Sequence, residues 1–353
     1  MNERRKLLLR TVPFLAIGIL FFLIYLGLFV DIQKMIEIIQ GANMLFFSLG
    51  AVALLLEILL FSLAWQHLLL PLSVKVPLKK TFIYVWIGAF TDLLVPAESV
   101  SGEVAKTYLV SREFNANPGK VVASLVSQRM LGTITTTATL FIGFLALITL
   151  DYSIPNFVLQ IFLSITIVSV FALVLIIVLC IKEKWTERLI NAVMRLVERI
   201  SRGRIQLKDF QTRIVEALRA FYDSLRIFGA NPTKLLPPIL FHVVSWVFSI
   251  AIAFLVFVSI GYLQPNISIL WLKVIVVYAL LTAIKSIPLG IPAEVGLPDI
   301  AMTTLLILFG IPPDISAAAT ILTRLITVWL RFFIGFAAVQ WLGVKFVRES
   351  GIF

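Results

Sequence analysis

The sequence predicts an all-α integral membrane protein. It has about six full transmembrane helices, two oppositely oriented re-entrant helical hairpins forming an inverted repeat, and a cytoplasmic amphipathic helical segment. Three observations point there. Apolar residues make up 60% of the 353-residue chain, charged residues only 14%, and mean hydropathy is +1.03, values that do not belong to a soluble domain. Apolar runs of about twenty residues recur along the whole length, each long enough to cross a hydrocarbon core of roughly 30 Å. Finally, Leu93–Leu109 lies over Leu289–Leu305 without a gap. Both stretches carry Pro-Ala-Glu (Pro96 to Glu98, Pro292 to Glu294) and place a second acid five residues after the first, Glu103 and Asp299. The chain reads as a single membrane domain, 1–353.

Taken in order, Arg4-Arg5-Lys6 and Arg10 precede an apolar run from Thr11 to Val30. That run is too long for a signal-peptide core and no small-residue cleavage site follows, so it reads as a retained first span. The full crossings are 11–30, 44–70, 121–150, 157–181, 235–262 and 316–343. Segments 82–112 and 270–310 are interrupted near their middles by the Pro-Ala-Glu sequences. Most of the 30 Lys and Arg residues lie at the N-terminus, at Lys75/Lys79/Lys80, at Lys106/Arg112/Lys120, in 182–234 and at Lys345/Arg348. The opposite loops (31–43, 151–156, 263–269 and 311–315) hold only Lys34. The positive-inside rule then puts both termini in the cytoplasm, with the plasma membrane as the expected location. The first broken segment therefore enters from the cytoplasm after Lys80 and returns there at Arg112. The second enters from outside after Ser268 and returns at Gly310. The spans that follow carry Arg129 and Arg324 at matching places. Such inversion, with discontinuous helices near the midplane, is a signature of secondary transporters; the repeats are 82–150 and 270–343.

A proline removes a backbone donor and clashes with the preceding turn. Unpaired backbone at membrane depth is tolerated only inside protein or along a wet cavity, so the breaks should line one. Ser101 can cap the helix after the first break, with Glu103 in its first turn; Pro298 suits the first position of the second, with Asp299 next. Capping alone would explain both acids. The alternative is that the exposed amides and nearby cations hold an anionic headgroup, the acids pairing those cations or carrying protons. The substrate-binding candidates are Glu98, Ser101, Gly102, Glu103, Arg129, Lys285, Glu294, Asp299 and Arg324. The ion- or proton-coupling candidates are Glu57, Asp92, Glu98, Glu103, Glu294 and Asp299. Arg129 and Arg324 are the natural partners of the hairpin acids, because a mid-bilayer charge normally pairs. Arg331 and Lys273 read as snorkelling side chains. His67 and His242 read as lone histidines without metal-ligand spacing, and Cys180 has no cysteine to pair with. No Walker or G-x-G-x-x-G fingerprint occurs, and no cofactor is expected.

Segment 182–234 alternates charge with apolar residues at helical spacing. It reads as two amphipathic helices joined by Ser201-Arg-Gly-Arg204, lying on anionic lipid at the inner leaflet or packed on the protein as a hairpin. The net charge of +11 sits in short segments between apolar runs and does not point to nucleic acid.

At the breaks the chain resembles a known family. Gly88-Ala-Phe-Thr-Asp-Leu-Leu-Val-Pro96, with Gly102, Glu103 and Lys106, is similar to the asparagine–proline–glycine-glutamate segment of the lysylphosphatidylglycerol synthase transmembrane-region family, the flippase-like domain. Ser124-Leu-Val-Ser-Gln-Arg129-Met-Leu-Gly132 looks like its serine-to-arginine span start. Ile287 to Asp299 resembles its second proline–glycine–acid hairpin, and Arg324 with Trp329 its closing span. Here Asp92 stands where Asn is usual, Ala293-Glu294 replaces Gly-Gly, and Asp299 replaces Glu. The resemblance implies a membrane domain that moves lipid headgroups across the bilayer. With the chain stopping at Phe353, no synthase domain is expected. The expected activity is a lipid flippase without enzymatic action, carrying an anionic or zwitterionic headgroup between two rocking halves. The alternatives are a membrane-embedded enzyme on a lipid-linked substrate, or an accessory subunit docking a cytoplasmic synthase. Expected partners are membrane lipids, phospholipid or polyprenyl phosphate, with a cytoplasmic lipid-modifying enzyme and a second copy of the chain as further candidates.

Overall fold

The structure is a computed structural model. It describes residues 19–95, 100–150, 152, 154, 156–183, 185, 186, 188, 208–263, 267–285 and 296–349. All regular structure among these residues is helical. The breaks themselves, with Pro96, Glu98, Pro292 and Glu294, lie outside the described residues, as does most of the first expected amphipathic helix of 182–234.

The first span differs from its expected course. Helix α1 (Ile19–Phe29) turns by 105° into α2 (Ile32–Gln40), where an outer loop 31–43 was expected. Asp31 sets the turn, its carboxylate accepting from the Lys34 amide at 3.1 Å as an N-cap. Among the described residues six helices are long and apolar enough to cross a membrane: Met44–Leu72, Pro118–Thr149, Asn156–Ile181, Pro232–Ser259, Ile267–Lys285 and Pro313–Gly343. The fifth was expected to be only half of a re-entrant segment. Its 19 residues rise about 28 Å, so the break comes at the end of a nearly complete crossing rather than at mid-depth.

Helix α3 (Met44–Leu69) starts at Asn43, whose side chain accepts from the Leu45 amide at 2.9 Å. The first broken segment folds as α4 (Leu78–Leu94) and α5 (Val100–Glu113), packed side by side as a hairpin. Lys80 and Tyr84 both bond Glu113 and clasp its open end. Helix α6 (Pro118–Thr149) follows at once, with proline in its first turn and Asn117 capping the Gly119 amide at 2.8 Å. Helix α7 (Asn156–Ile181) has the highest hydropathy of the spans and the smallest buried share, so it lies at the lipid-facing rim. Helix α8 (Lys208–Ala230) is the second expected amphipathic helix. It packs on the start of α6, with its Ala217 backbone pressed against Gly119. Of the two placements open at the sequence level, this helix takes the one against protein.

The second half repeats the order. Helix α9 (Leu236–Ser259) packs along α3 in the most extensive helix pair of the fold. Helices α10 (Ile267–Lys285) and α11 (Leu297–Leu308) form the second hairpin. The closing span comprises α12 (Pro313–Arg324), a π-helical segment Leu325–Leu330 and α13 (Arg331–Glu349).

Helix α6 shows how the hairpins are set. The clasped end of the first hairpin adjoins the Pro118 end of α6, joined to it by Phe114–Asn117. At the other end, just past Leu150, Tyr152 donates to the Phe309 carbonyl at 2.7 Å and lies 4.7 Å beneath the Lys273 ammonium. Phe309 closes α11 and Lys273 lies in the second turn of α10, so the second hairpin's open end is there. The two hairpins thus enter from opposite ends of one helix. Each first arm is covered by the other half's span: α6 packs on α10, and α13 packs on α4. Glycines permit both crossings. A Cβ on Gly143 would lie 2.7 Å from Val276, and one on Gly335 would lie 2.6 Å from Phe90 and 2.8 Å from the Trp86 carbonyl. Membrane helices associate by such close packing, since lipid is as apolar as leucine.

Candidate functional site

Between the hairpin tips lies a cavity of about 400 Å³, reached by α3, α4, α5, α6, α9, α10, α11 and the closing span. Its first wall is the tip of the α4–α5 hairpin. Asp92, near the end of α4, accepts from the Ser101 hydroxyl at 2.7 Å and the Gly102 amide at 2.6 Å. Ser101 is therefore not the expected cap. Val100 already begins α5, and the capping acceptor is Asp92, reaching across the hairpin. Gly102 is required because a Cβ there would collide with the Asp92 carboxylate and the Gly88 carbonyl. An aspartate does the work of the expected asparagine, because only an oxygen acceptor is used.

One turn on, Glu103 takes the Arg129 guanidinium at 3.3 Å, and Thr107 donates to the Glu103 carbonyl at 2.8 Å. Lys106 follows on the same face. It is buried, with its ammonium 5.5 Å from the Trp65 ring and 6.0 Å from the Phe61 ring. The sequence reading counted Lys106 among cytoplasmic loop charges; the structure puts it in the cavity wall.

The second wall mirrors this arrangement. Asp299 accepts from the Gly296 amide at 2.7 Å and from Arg324 Nε at 2.9 Å. Gly296 has φ = 96°, backbone that favours glycine. Thr303 donates to the Asp299 carbonyl at 2.9 Å, as Thr107 does to Glu103. Both acids thus pair an arginine of the following span, and Asp299 also caps its helix. Asp299 itself sits behind Arg324; Lys285, at the end of α10, faces the cavity.

The third pair joins Arg331 to Glu57 through two contacts of 2.9 and 3.3 Å. Arg331, expected to snorkel, instead pairs in the cavity with Glu57, a coupling candidate. Lys273 is likewise buried beside Tyr152 rather than extended to an interface. On α9 the cavity meets a polar stripe at helical spacing: His242, Ser245, Trp246 and Ser249. Ser245 donates to the Glu57 carbonyl at 2.9 Å, Trp246 to Thr139 at 3.0 Å, and Ser249 meets the Tyr278 hydroxyl at 3.0 Å. Among the described residues five bases line the cavity (Lys106, Arg129, Lys285, Arg324, Arg331) against three acids (Glu57, Asp92, Glu103). Chemically this is a polar chamber with an excess of cations, set among apolar helices.

Of the expected site residues, Glu103, Arg129, Lys285 and Arg324 line the chamber; Ser101, Gly102 and Asp299 support it; Glu98 and Glu294 lie outside the described residues. Sequence reasoning missed Lys106, Arg331 and His242. Lys106 is three residues beyond Glu103 and Arg331 seven beyond Arg324, spacings that already place each on an established polar face.

The family model described as the lysylphosphatidylglycerol synthase TM region matches residues 15–335. The chain belongs to this family. The match to the lysylphosphatidylglycerol synthase transmembrane-region family runs through both hairpins and into the closing span. Similar proteins include the UPF0104 membrane protein of Methanocaldococcus jannaschii, 24% identical over 341 residues and covering 96% of each chain. Another, from Pyrococcus horikoshii, is 23% identical over 91% of this chain and 94% of its own. A third, from Methanothermobacter thermautotrophicus, is 24% identical over 87% and 88%. No solved structure matches the chain. The chain is a multi-pass, lipid-related membrane protein.

Proposed function

We propose that this protein is a lipid carrier, a flippase that moves an anionic or zwitterionic headgroup across the bilayer while the acyl chains stay in lipid. One observation carries the reading: two hairpins that enter from opposite ends of α6 bring their tips to one cation-rich chamber. Segments 82–150 and 270–343 are then inverted repeats, and the chamber between them is the transport site. A phospholipid or a polyprenyl-phosphate-linked lipid is the substrate class. The distribution of Lys and Arg favours a plasma-membrane protein with both termini and 182–234 in the cytoplasm. A headgroup that takes over hydrogen bonds from Arg129, Arg324 or Arg331 releases Glu103, Asp299 or Glu57, which makes these acids the candidates for proton coupling. The family's description supports a lipid-directed role.

The test is reconstitution in vesicles carrying headgroup-labelled fluorescent lipids, one leaflet being quenched chemically. Protein-dependent access of the quencher to the other leaflet is expected for at least one phosphate-containing lipid. If folded protein translocates none of them, the carrier reading is wrong. Product formation from a labelled lipid in detergent would support the enzymatic alternative.

A further inference from the structure

His242 is a buried polar group of the chamber that the fold does not use among the described residues. Its side chain is 7% exposed, and neither ring nitrogen has a hydrogen-bond partner among the described residues. Neighbours on the same stripe are satisfied: Ser245, Trp246 and Ser249 all bond protein groups. A buried imidazole without partners forfeits its hydrogen bonds to water, unless something that visits the chamber replaces them.

The space beside the ring is shaped by Gly132. A Cβ built there would meet His242 Nε2 at 3.7 Å and Cε1 at 3.8 Å and touch nothing nearer. Glycine thus leaves the approach to Nε2 open, in a helix where alanine would fit and form helix better. Arg129 stands one turn before Gly132 on the same face of α6. Lys106 approaches from α5, and Phe61 neighbours both: its ring centroid is 6.0 Å from the Lys106 ammonium and 5.9 Å from the His242 ring. Three donors from three helices, Lys106, Arg129 and His242, all line this one chamber.

We propose that His242 Nε2–H, Arg129 and Lys106 form a seat for a phosphate group, entered beside Gly132. This rests on the carrier reading and names the residues that would hold the phosphate its candidate lipids share. A phosphate spreads its oxygens in three dimensions and can accept from donors on α5, α6 and α9 together. A planar carboxylate suits a single fork in one plane.

The chain has two histidines, and the other, His67, already bonds the Leu63 carbonyl at 2.9 Å. Histidine ring signals of the full chain in detergent, read by NMR, therefore report the seat directly. Decyl phosphate should shift the His242 signals saturably and leave His67 in place. Inorganic phosphate should give the same shift at higher concentration, and decanoate should not. Gly132→Ala should weaken decyl phosphate binding about tenfold, the effect of losing one hydrogen bond to a charged group. His242→Leu should do the same, while His242→Gln, which keeps a donor, should retain most of the affinity. Because the added methyl of Gly132→Ala makes only ordinary contacts, its fold should be intact. Decyl phosphate binding without a His242 response, an equal response to decanoate, or wild-type affinity in Gly132→Ala would each overturn the seat. The vesicle assay separates the two ideas. A His242 response without translocation leaves the seat standing and removes the carrier. Translocation with a silent His242 removes the seat alone.

Discussion

Asp299 and Arg324 are each 7% exposed at the side chain, so neither can exchange its partner for water. Removing one breaks a buried ion pair at membrane depth, a loss of about 3–5 kcal/mol. Asp299→Ala should therefore lower thermal stability in detergent sharply, and the double variant Asp299→Ala/Arg324→Leu should recover much of the loss. The matching pair behaves differently. Arg129 and Glu103 are 34% and 27% exposed toward the chamber, where water screens them, so Glu103→Ala should cost about 1 kcal/mol or less. Its cost should appear in transport instead. A thermal melt of the three variants decides this. The acid–arginine pairing was legible in the sequence, because nearly equal spacing after two similar motifs (26 and 25 residues from acid to arginine) matched each acid with the arginine of its own following span. Lys106 was not. It lies on the returning arm of a hairpin, where charge alone suggests a loop, and the rings that hold it, Phe61 and Trp65, belong to α3. No local pattern records that contact. His242 was missed because a single histidine in an apolar run has an ordinary explanation until its lack of partners is seen.

Among the elements, glycine positions set where helices can touch. Gly335→Ala should destabilise although alanine gains about 1 kcal/mol of helix propensity. The new methyl would press on Phe90 and the Trp86 carbonyl, and overpacking typically costs about 1–3 kcal/mol. Gly132→Ala, with open space around it, should leave the melting temperature unchanged or raise it. Opposite signs for the same substitution would verify the packing. Spans were read well from apolar length, and hairpins from paired prolines and acids. The bend at Asp31 and the full length of α10 were not. One depends on a single capping carboxylate; the other on an apolar run that continues almost across the membrane before its break.

For the whole molecule, the chamber should be wet and the rim should not. In a Cys180→Ala background, Thr133→Cys, which faces the chamber, should react with a small charged thiol reagent. Phe141→Cys on the same helix is 59% exposed outside the core and faces lipid, so it should resist the reagent, which cannot ionise thiols in hydrocarbon. Equal labelling of both would contradict the placement of α6. Overall architecture followed from sequence because membrane helices announce themselves by length and composition. How the halves embrace did not, because helix-on-helix contacts depend on small residues scattered one at a time.

That embrace limits the motion available to the protein. Since α6 is seated on α10 and α13 on α4, each structural block contains pieces of both sequence repeats. Swinging one repeat away as a rigid body would tear both glycine seams. Under the carrier reading, exposure of the chamber to alternate faces is then a matter of shear, hairpin arms sliding past the spans seated on them at Gly143 and Gly335. Locking either seam should arrest turnover while leaving the binding of a headgroup intact.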